Sequence, residues 1–222
     1  MSVVKLDPKQ RLLDKARGYV DEPATFLANL NEATRVLLRA LAYADSELRL
    51  RIEMLVGVFG DKEKLAEVLY AIIRDGNEEQ DARHEAAIQL SVVAEHISDP
   101  ASLCARLIED ARGRDAELRL HATGALGWAG NAGAVLVLLA GLHDEDERVR
   151  QAAVFALTNL RDDSVFGTLL DRLQAGPRDQ QRIILLNLWR FYDKREEAAC
   201  VYLGFVRHDD ADMRFDALAL LG

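Results

Sequence analysis

Polar and apolar residues follow a helical period along most of this chain, and the pattern itself recurs six times. An arginine marks each recurrence, at Arg49, Arg83, Arg119, Arg150, Arg182 and Arg214, with intervals of 34, 36, 31, 32 and 32 residues. An apolar residue follows seven positions after every arginine, and in four repeats a small residue follows three positions after it. Because offsets of three, four and seven lie on one face of a helix, each arginine is predicted to begin an amphipathic helix.

The positions three and seven after each arginine are expected in the core. A close contact between helices requires a short side chain, and the apolar stripe of an amphipathic helix faces its neighbours. The small residues are Ala86, Ala122, Ala153 and Ala217. The apolar residues are Val56, Leu90, Leu126, Leu157, Trp189 and Leu221.

A second apolar-patterned helix follows each first helix after a short break. The breaks carry turn residues such as Gly60-Asp61 and Asp99-Pro100, and an aspartate at the head of a helix is a ready N-cap. No run of residues alternates with the period of a strand. The sequence therefore predicts an all-α protein of helix pairs, and a period in the thirties predicts that the pairs stack as an α-α superhelix, or solenoid.

The repeat resembles a HEAT repeat, and more closely the short bacterial HEAT-like repeat of the phycobilisome lyases. The stretch DEDERVRQAAVFALTNLRDDSVFGTLLDRL carries the resemblance most clearly, and GRDAELRLHATGALGWAGNAGAVLVLLAGLHDE reads in the same way. Residues 115–177 match well, residues 45–114 and 178–222 moderately, and residues 1–44 only by their helix pattern. The resemblance implies stacked antiparallel helix pairs, with the second helices lining a concave face.

We expect residues 1–222 to form a single HEAT-like array. Residues 1–44 are interpreted as a degenerate N-terminal capping repeat, and the full repeats begin near residues 45, 79, 115, 146 and 178. Residues 210–222 correspond to the first helix of an incomplete sixth repeat. Three explanations stay open for this end: an apolar face left partly open, a longer parent chain, or cover by another subunit, which includes self-association.

Composition narrows the choice of partner. The net charge of −9 disfavours a nucleic-acid binder, which requires a basic face to neutralise phosphates. The start of the chain shows no signal-peptide pattern, and no apolar run is long enough to span a bilayer. Cys104 and Cys200 are expected to be reduced, so the sequence predicts a cytoplasmic protein with no membrane partner. The resemblance to the bacterial HEAT-like repeat implies a bacterial origin.

Two enzyme classes with HEAT-like folds were weighed against the sequence. His84-Glu85 matches the iron-binding pair of deoxyhypusine hydroxylase, but a di-iron site requires several such pairs and the other repeats lack them. We therefore expect no metal and no cofactor. HEAT-like alkylpurine DNA glycosylases use a basic groove with aromatic residues, whereas Trp128 and Trp189 of this acidic chain are interpreted as core residues.

An acidic residue precedes five of the six arginines by four positions. The acids are Asp45, Glu79, Asp115, Asp146 and Asp210. This order favours an ion pair within the helix, which contributes only ~0.3–0.5 kcal/mol when exposed. The predicted pairs therefore set the registry between repeats at most.

Function is expected on the second helices, at positions that point away from the core. The segment from Gly130 to Leu142 contains no charged side chain, and a helix that is apolar on every side needs cover from a neighbour or a partner. The predicted partner-binding residues are Tyr70, Arg106, Leu136, Val137, Ala140, Thr168 and Val201. The sequence favours a non-enzymatic scaffold that binds another protein; the alternative is a lyase-type accessory subunit that holds a tetrapyrrole or a modified protein.

Overall fold

The structure is a computed structural model that describes residues 7–58, 61–129, 132–160 and 162–222. Within these ranges it contains fourteen α-helices and four short 3-10 turns, and no strand. The prediction of an all-α protein is therefore confirmed. The helices divide into two compact units, of which the first ends at Leu103 and the second begins at Cys104.

The first unit opens with three helices that precede the regular repeats. They are α1 (Pro8–Asp21), α2 (Pro23–Ala28) and α3 (Leu30–Leu41). The repeats follow as α4 (Ser46–Val58), α5 (Lys62–Arg74) and α6 (Gln80–Ala94), and α7 (Pro100–Asp110) contains the point of division. The side chains of Leu37 and Leu41 from α3 are buried, as are those of Leu69 and Ile73 from α5, and α3 packs against both α5 and α6. The opening helices thus belong to the same core as the first repeat.

An ion-pair network also joins α3 to the turn between α5 and α6. Arg35 Nη1 lies 2.5 Å from Glu78 Oε2 and 2.9 Å from Asp75 Oδ2, and Arg39 Nε pairs with the other Glu78 oxygen. The Glu78 side chain is fully buried. Burial alone would raise the pKa of this carboxyl, but hydrogen bonds and charge interactions with Arg39 and Arg35 outweigh burial and hold the pKa below its usual value.

The second unit contains the remaining helix pairs. First helices and second helices alternate along the chain. The helices are α8 (Ala116–Ala129), α9 (Val135–Gly141), α10 (Glu147–Leu160), α11 (Phe166–Ala175), α12 (Arg178–Asn187), α13 (Arg195–Phe205) and α14 (Ala211–Leu221). The first helices α8, α10, α12 and α14 pack in sequence against one another, while α9 packs on α10, α11 on α12 and α13 on α14.

Small residues bring the first helices close together, as the repeat pattern predicts. All four predicted alanines are fully buried, among them Ala153. A Cβ atom added to Gly127 of α8 would lie 2.7 Å from the Cα of Ala156 on α10, and one added to Gly141 of α9 would lie 3.0 Å from the Cβ of Ala153. These contacts leave no room for a larger side chain.

The apolar positions seven after each arginine divide into two groups. Val56, Leu90, Leu126 and Leu157 are fully buried, as predicted. Trp189 and Leu221 are exposed, so the prediction was wrong for the last two repeats. At Trp189 the reason is local, because α12 ends at Asn187 and the chain passes into a 3-10 turn, which moves the side chain off the buried stripe.

The repeated arginines do not form the ion pairs that their spacing predicts. In the described residues, the acid four positions earlier caps the helix instead: Asp115 Oδ1 accepts the backbone N–H of Glu117 at 2.9 Å. The arginine side chain turns back to the preceding turn, where Arg119 Nη1 donates to the carbonyl oxygen of Arg114 at 2.9 Å. Three further acids cap in this way, at Asp45, Asp146 and Asp210. Four further arginines bond to carbonyl oxygens, at Arg49, Arg83, Arg150 and Arg214.

This arrangement explains the repeated acid and arginine better than a surface ion pair does. The last carbonyl groups of a helix lack partners within that helix, and the first N–H groups of the next helix lack them as well. The acid satisfies N–H groups and the arginine satisfies carbonyl groups at the same connection. Four of the six repeats, those of Arg49, Arg119, Arg150 and Arg214, therefore carry both parts of a device that fixes the junction with the preceding helix.

Candidate partner-binding surface

The second helices α9, α11 and α13 carry an exposed leucine and two clefts on the second unit. On α9, Val135, Val137 and Leu138 are buried while Leu136 is 73 % exposed. The helix has only seven residues and no charged side chain, and a 3-10 turn at Ala132–Ala134 precedes it. Leu136 therefore projects a full aliphatic side chain into solvent from a helix whose other large residues are mostly covered.

A cleft of about 360 Å³ lies between α9 and α11. Its lining residues are Leu139, Leu142, His143, Thr168, Asp171, Arg172, Ala175 and Gly176. Arg172 Nη2 lies 2.9 Å from His143 Nε2 and donates to the carbonyl oxygen of Leu142 at 3.4 Å. The lining of the cleft thus combines apolar residues with polar and charged ones, a composition that suits a protein segment or a small ligand.

A second cleft, of about 310 Å³, lies between α11 and α13. Its lining residues are Leu170, Leu173, Gln174, Cys200, Val201, Gly204, Phe205 and His208. The imidazole of His208 stacks on the ring of Phe205 with centroids 5.0 Å apart, and its Nδ1 accepts the backbone N–H of Asp210 at 3.1 Å. Since Nδ1 is an acceptor, the Nε2 atom of a neutral His208 carries the proton. The cleft is open at Gly204, because a Cβ atom added there would meet nothing within 4 Å.

The structure places the predicted site residues in different surroundings. Thr168 lines the first cleft and Val201 the second, while Leu136 and Ala140 are exposed on α9. Arg106 on α7 is half-buried. These placements keep the five as candidate contacts of a partner.

Two of the predicted site residues do not point away from the core. Val137 is buried, because it follows Leu136 by one position and a helix turns successive side chains to different faces. Tyr70 is also buried, and the guanidinium of Arg74 lies over its ring, 5.7 Å from the centroid. The expectation that these two side chains face outward was wrong.

The interpretation of Trp128 and Trp189 as core residues was also wrong. The two side chains are 46 % and 45 % exposed, and Phe155 lies between their helices at 37 % exposure. Apolar residues at helical spacing predicted a buried face. The sequence pattern alone does not reveal that these aromatic side chains lie at the surface, in the second half of each first helix or just after its end. The adjacent Arg190 is a signal that sequence reasoning overlooked.

The cysteines, histidines and acids give no sign of a metal centre in the described residues. No group of three or more His, Cys, Asp or Glu side chains within those ranges could hold a metal ion. Glu85, one half of the His84-Glu85 pair, accepts a hydrogen bond from Arg49 Nη1 at 3.4 Å. Both cysteines are free thiols; Cys104 is buried and Cys200 is exposed.

Comparison with known proteins identifies the repeat. A family model described as HEAT repeats matches residues 100–189. This chain contains HEAT repeats. The match runs from the first residue of α7 into the 3-10 turn after α12, and thus includes both helices that enclose the first cleft.

Other comparisons add little to the HEAT assignment. No curated protein gave a significant match to the chain. Among the described residues, no helix combines the length and the apolar character that crossing a membrane would require. The closer likeness to the phycobilisome-lyase type of repeat stays a prediction.

Proposed function

We propose that this protein is a non-enzymatic scaffold or adaptor that binds a segment of another protein along α9, α11 and α13. The observation that carries the proposal is Leu136, a leucine 73 % exposed on α9, the helix that also supplies Leu139 to the cleft between α9 and α11. Exposed apolar side chains next to a groove are typical anchors of protein interfaces, and a few such anchors supply much of the binding energy.

The two clefts support an elongated partner. They lie on the two sides of α11, with Thr168 lining one and Val201 the other. Each cleft alone is at the small end of the volumes typical of ligand sites, which are roughly 300–1,000 Å³. A helical or extended segment that crosses α11 would use both clefts together with Leu136. It would then lie on the concave side that the resemblance to HEAT repeats implies for the second helices.

Site-specific photo-crosslinking in the native host tests this proposal. A photoreactive phenylalanine derivative replaces Leu136 in one variant and Leu218 of α14 in a second, since both leucines are more than half exposed on the same unit. We expect a discrete crosslinked protein from position 136 and none from position 218. A crosslink from position 218 alone would contradict the proposal and assign binding to α14, where Phe215 and Leu221 are also exposed.

The same variants separate binding of a partner from self-association. Self-association through α14 would give a crosslinked product of twice the chain mass from position 218. A product of that mass from position 136 would make a second copy of this chain the occupant of the α9 surface.

The lyase-type alternative makes a different prediction. A subunit that holds a tetrapyrrole would be purified with visible absorbance, and His143 or His208 at the cleft ends would contact the chromophore. A colourless protein that still crosslinks from position 136 supports the scaffold.

A further inference from the structure

Three consecutive first helices of the second unit carry exposed aromatic residues near their C-terminal ends. Trp128 is near the end of α8, Phe155 is in the second half of α10, and Trp189 is in the 3-10 turn that ends α12, followed by Arg190. We call these four residues the aromatic–arginine patch. None of them was assigned a function by the repeat pattern, and none lines either cleft.

The packing of the first helices creates this patch. Because Gly127 has no side chain, the backbone of α8 approaches Ala156 of α10 closely. The residues next to them, Trp128 and Phe155, are thereby brought into edge-to-face contact with ring centroids 6.3 Å apart. Gly127 thus allows the contact between Trp128 and Phe155, and the two exposed rings form one surface.

Arg190 extends the patch to the third repeat. Its guanidinium carbon lies 5.7 Å from the centroid of the Phe155 ring and 5.1 Å from that of Trp189. Both distances are within the range of a cation–π contact, and guanidinium groups stack well on aromatic faces. The result is a continuous surface of three aromatic rings and one cation.

Arg190 differs from Arg119 and Arg182, two of the repeated arginines that form ion pairs. Arg119 pairs with Asp144 at 2.8 Å and Arg182 pairs with Asp216 at 2.7 Å. In the described part of the chain, Arg190 has no carboxylate within ion-pair distance, and its Nε donates only to the amide oxygen of Asn187 at 3.0 Å. The positive charge of Arg190 is therefore not neutralised by a direct ion pair within the described residues.

Two acids of the second unit, Asp163 and Asp193, lie close to a different cation. Asp163 and Asp193 act on Lys194, whose pKa is raised first by its hydrogen bond to Glu197 and further by these two charges. Lys194 Nζ lies 2.9 Å from Glu197 Oε1. The local acidic groups are therefore associated with a different cation, and the patch keeps a positive centre between exposed rings.

We propose that the aromatic–arginine patch binds an acidic segment of a partner protein that carries an aromatic or aliphatic anchor residue. Arg190 would pair with a carboxylate of that segment, and Trp128, Phe155 and Trp189 would cover the anchor. Tryptophan and arginine are the residue types most enriched at energetic centres of interfaces. A nucleic acid fits less well, because its affinity depends on several phosphate contacts and the patch offers one cation.

The two tryptophans supply a probe that needs no label. Trp128 and Trp189 are the two tryptophans of the sequence, so intrinsic tryptophan fluorescence reports on this patch alone. Iodide should quench the emission of the full chain more efficiently than caesium does, because Arg190 attracts the anion. Arg190→Gln should reduce iodide quenching without changing quenching by neutral acrylamide.

Peptide titrations test the proposal itself. The probes are two pools of short peptides with Leu and Phe anchors at the same positions, one rich in Asp and Glu and the other in Lys, together with an oligothymidylate. We expect the acidic pool to shift the emission and to protect both tryptophans from acrylamide. Arg190→Gln should weaken this binding about tenfold, the loss that corresponds to ~1.4 kcal/mol.

Controls distinguish a binding role from a structural one. Arg112→Gln removes one positive charge from an exposed residue outside the patch and should leave the peptide affinity unchanged. Arg190→Lys keeps the charge and should restore part of the affinity, while the urea midpoint of each variant should match that of the wild type. Tighter binding of the basic pool or of the oligothymidylate, or binding by no probe, would overturn the proposal.

Discussion

The contact between α8 and α10 and the outer surface of α13 use glycine in opposite ways. Between the first helices α8 and α10, Gly127 allows contact so close that an added methyl group would collide with Ala156. On the second helix α13, Gly204 meets nothing within 4 Å and lines an open cleft. The close contact leaves no room for a larger side chain between α8 and α10, whereas the surface of α13 at Gly204 is open.

The largest loss of stability is expected where a charge is placed in the close contact between α9 and α10. Ala153 is fully buried on α10 against Gly141, so Ala153→Glu would bury an unpaired carboxylate and cost several kcal/mol. Ala105→Glu, at an exposed position of α7, should change the free energy of unfolding by no more than about 0.5 kcal/mol. Urea unfolding of both variants measures the difference, and equal midpoints would refute this assignment of the buried face.

The next largest loss of stability is expected in the first unit, where an ion-pair network joins α3 to the turn between α5 and α6. Glu78→Gln removes the carboxylate that Arg35 and Arg39 share, while Arg35 keeps its ion pair with Asp75. We expect a loss of roughly 2–3 kcal/mol, less than for a fully buried pair because both arginines remain partly exposed. Chemical denaturation at neutral pH measures this loss.

The same carboxylate predicts a dependence on pH. The pKa of Glu78 is lower in the folded protein than in the unfolded chain, so its contribution is complete above the ordinary glutamate pKa and declines as the pH falls through the folded value. The stability gap between wild type and Glu78→Gln should therefore narrow on acidification below about pH 4. A gap that stays constant through this range would show that the charge of Glu78 is not its source.

Smaller changes in stability, opposite in sign to each other, are expected when Gly127 and Gly204 are replaced by alanine. Gly127→Ala requires α8 and α10 to separate and should destabilise the protein by about 1–3 kcal/mol. Gly204→Ala fills no occupied space within α13 and should stabilise it by roughly 0.5–1 kcal/mol, because alanine favours a helix more than glycine does. Thermal unfolding of the two variants would disprove the comparison if both shifted in the same direction.

The sequence predicted the fold better than the surface. The six arginines and the alanines three positions later depend on local spacing, and the structure confirms the helices and the burial of those alanines. The acid and arginine of each repeat were paired wrongly, because spacing along one helix does not show which backbone groups of the preceding turn need partners. The predictions for Trp189 and Val137 were wrong for a related reason. A shift of one residue in the end of a helix, or in the position along it, decides whether a side chain is buried.

The smallest effect is expected at His84. The other repeats lack a matching His-Glu pair, and Glu85 is already engaged by Arg49, so His84→Ala should change stability by less than about 0.5 kcal/mol. Protein purified without added metal should contain iron and zinc well below one equivalent. A full equivalent of metal that disappears in His84→Ala would refute this prediction and reopen an enzymatic role.

The most direct test of the second-helix surface is the affinity of the partner identified by crosslinking. Titration calorimetry should show that Leu136→Asp lowers this affinity at least tenfold, since covering a leucine contributes ~1.5–3 kcal/mol. The urea midpoint should stay near that of the wild type, because Leu136 is 73 % exposed. Leu218→Asp, the same change on α14, should leave the affinity intact. Unchanged affinity in Leu136→Asp with a loss in Leu218→Asp would contradict the claim that α9, α11 and α13 form the binding surface.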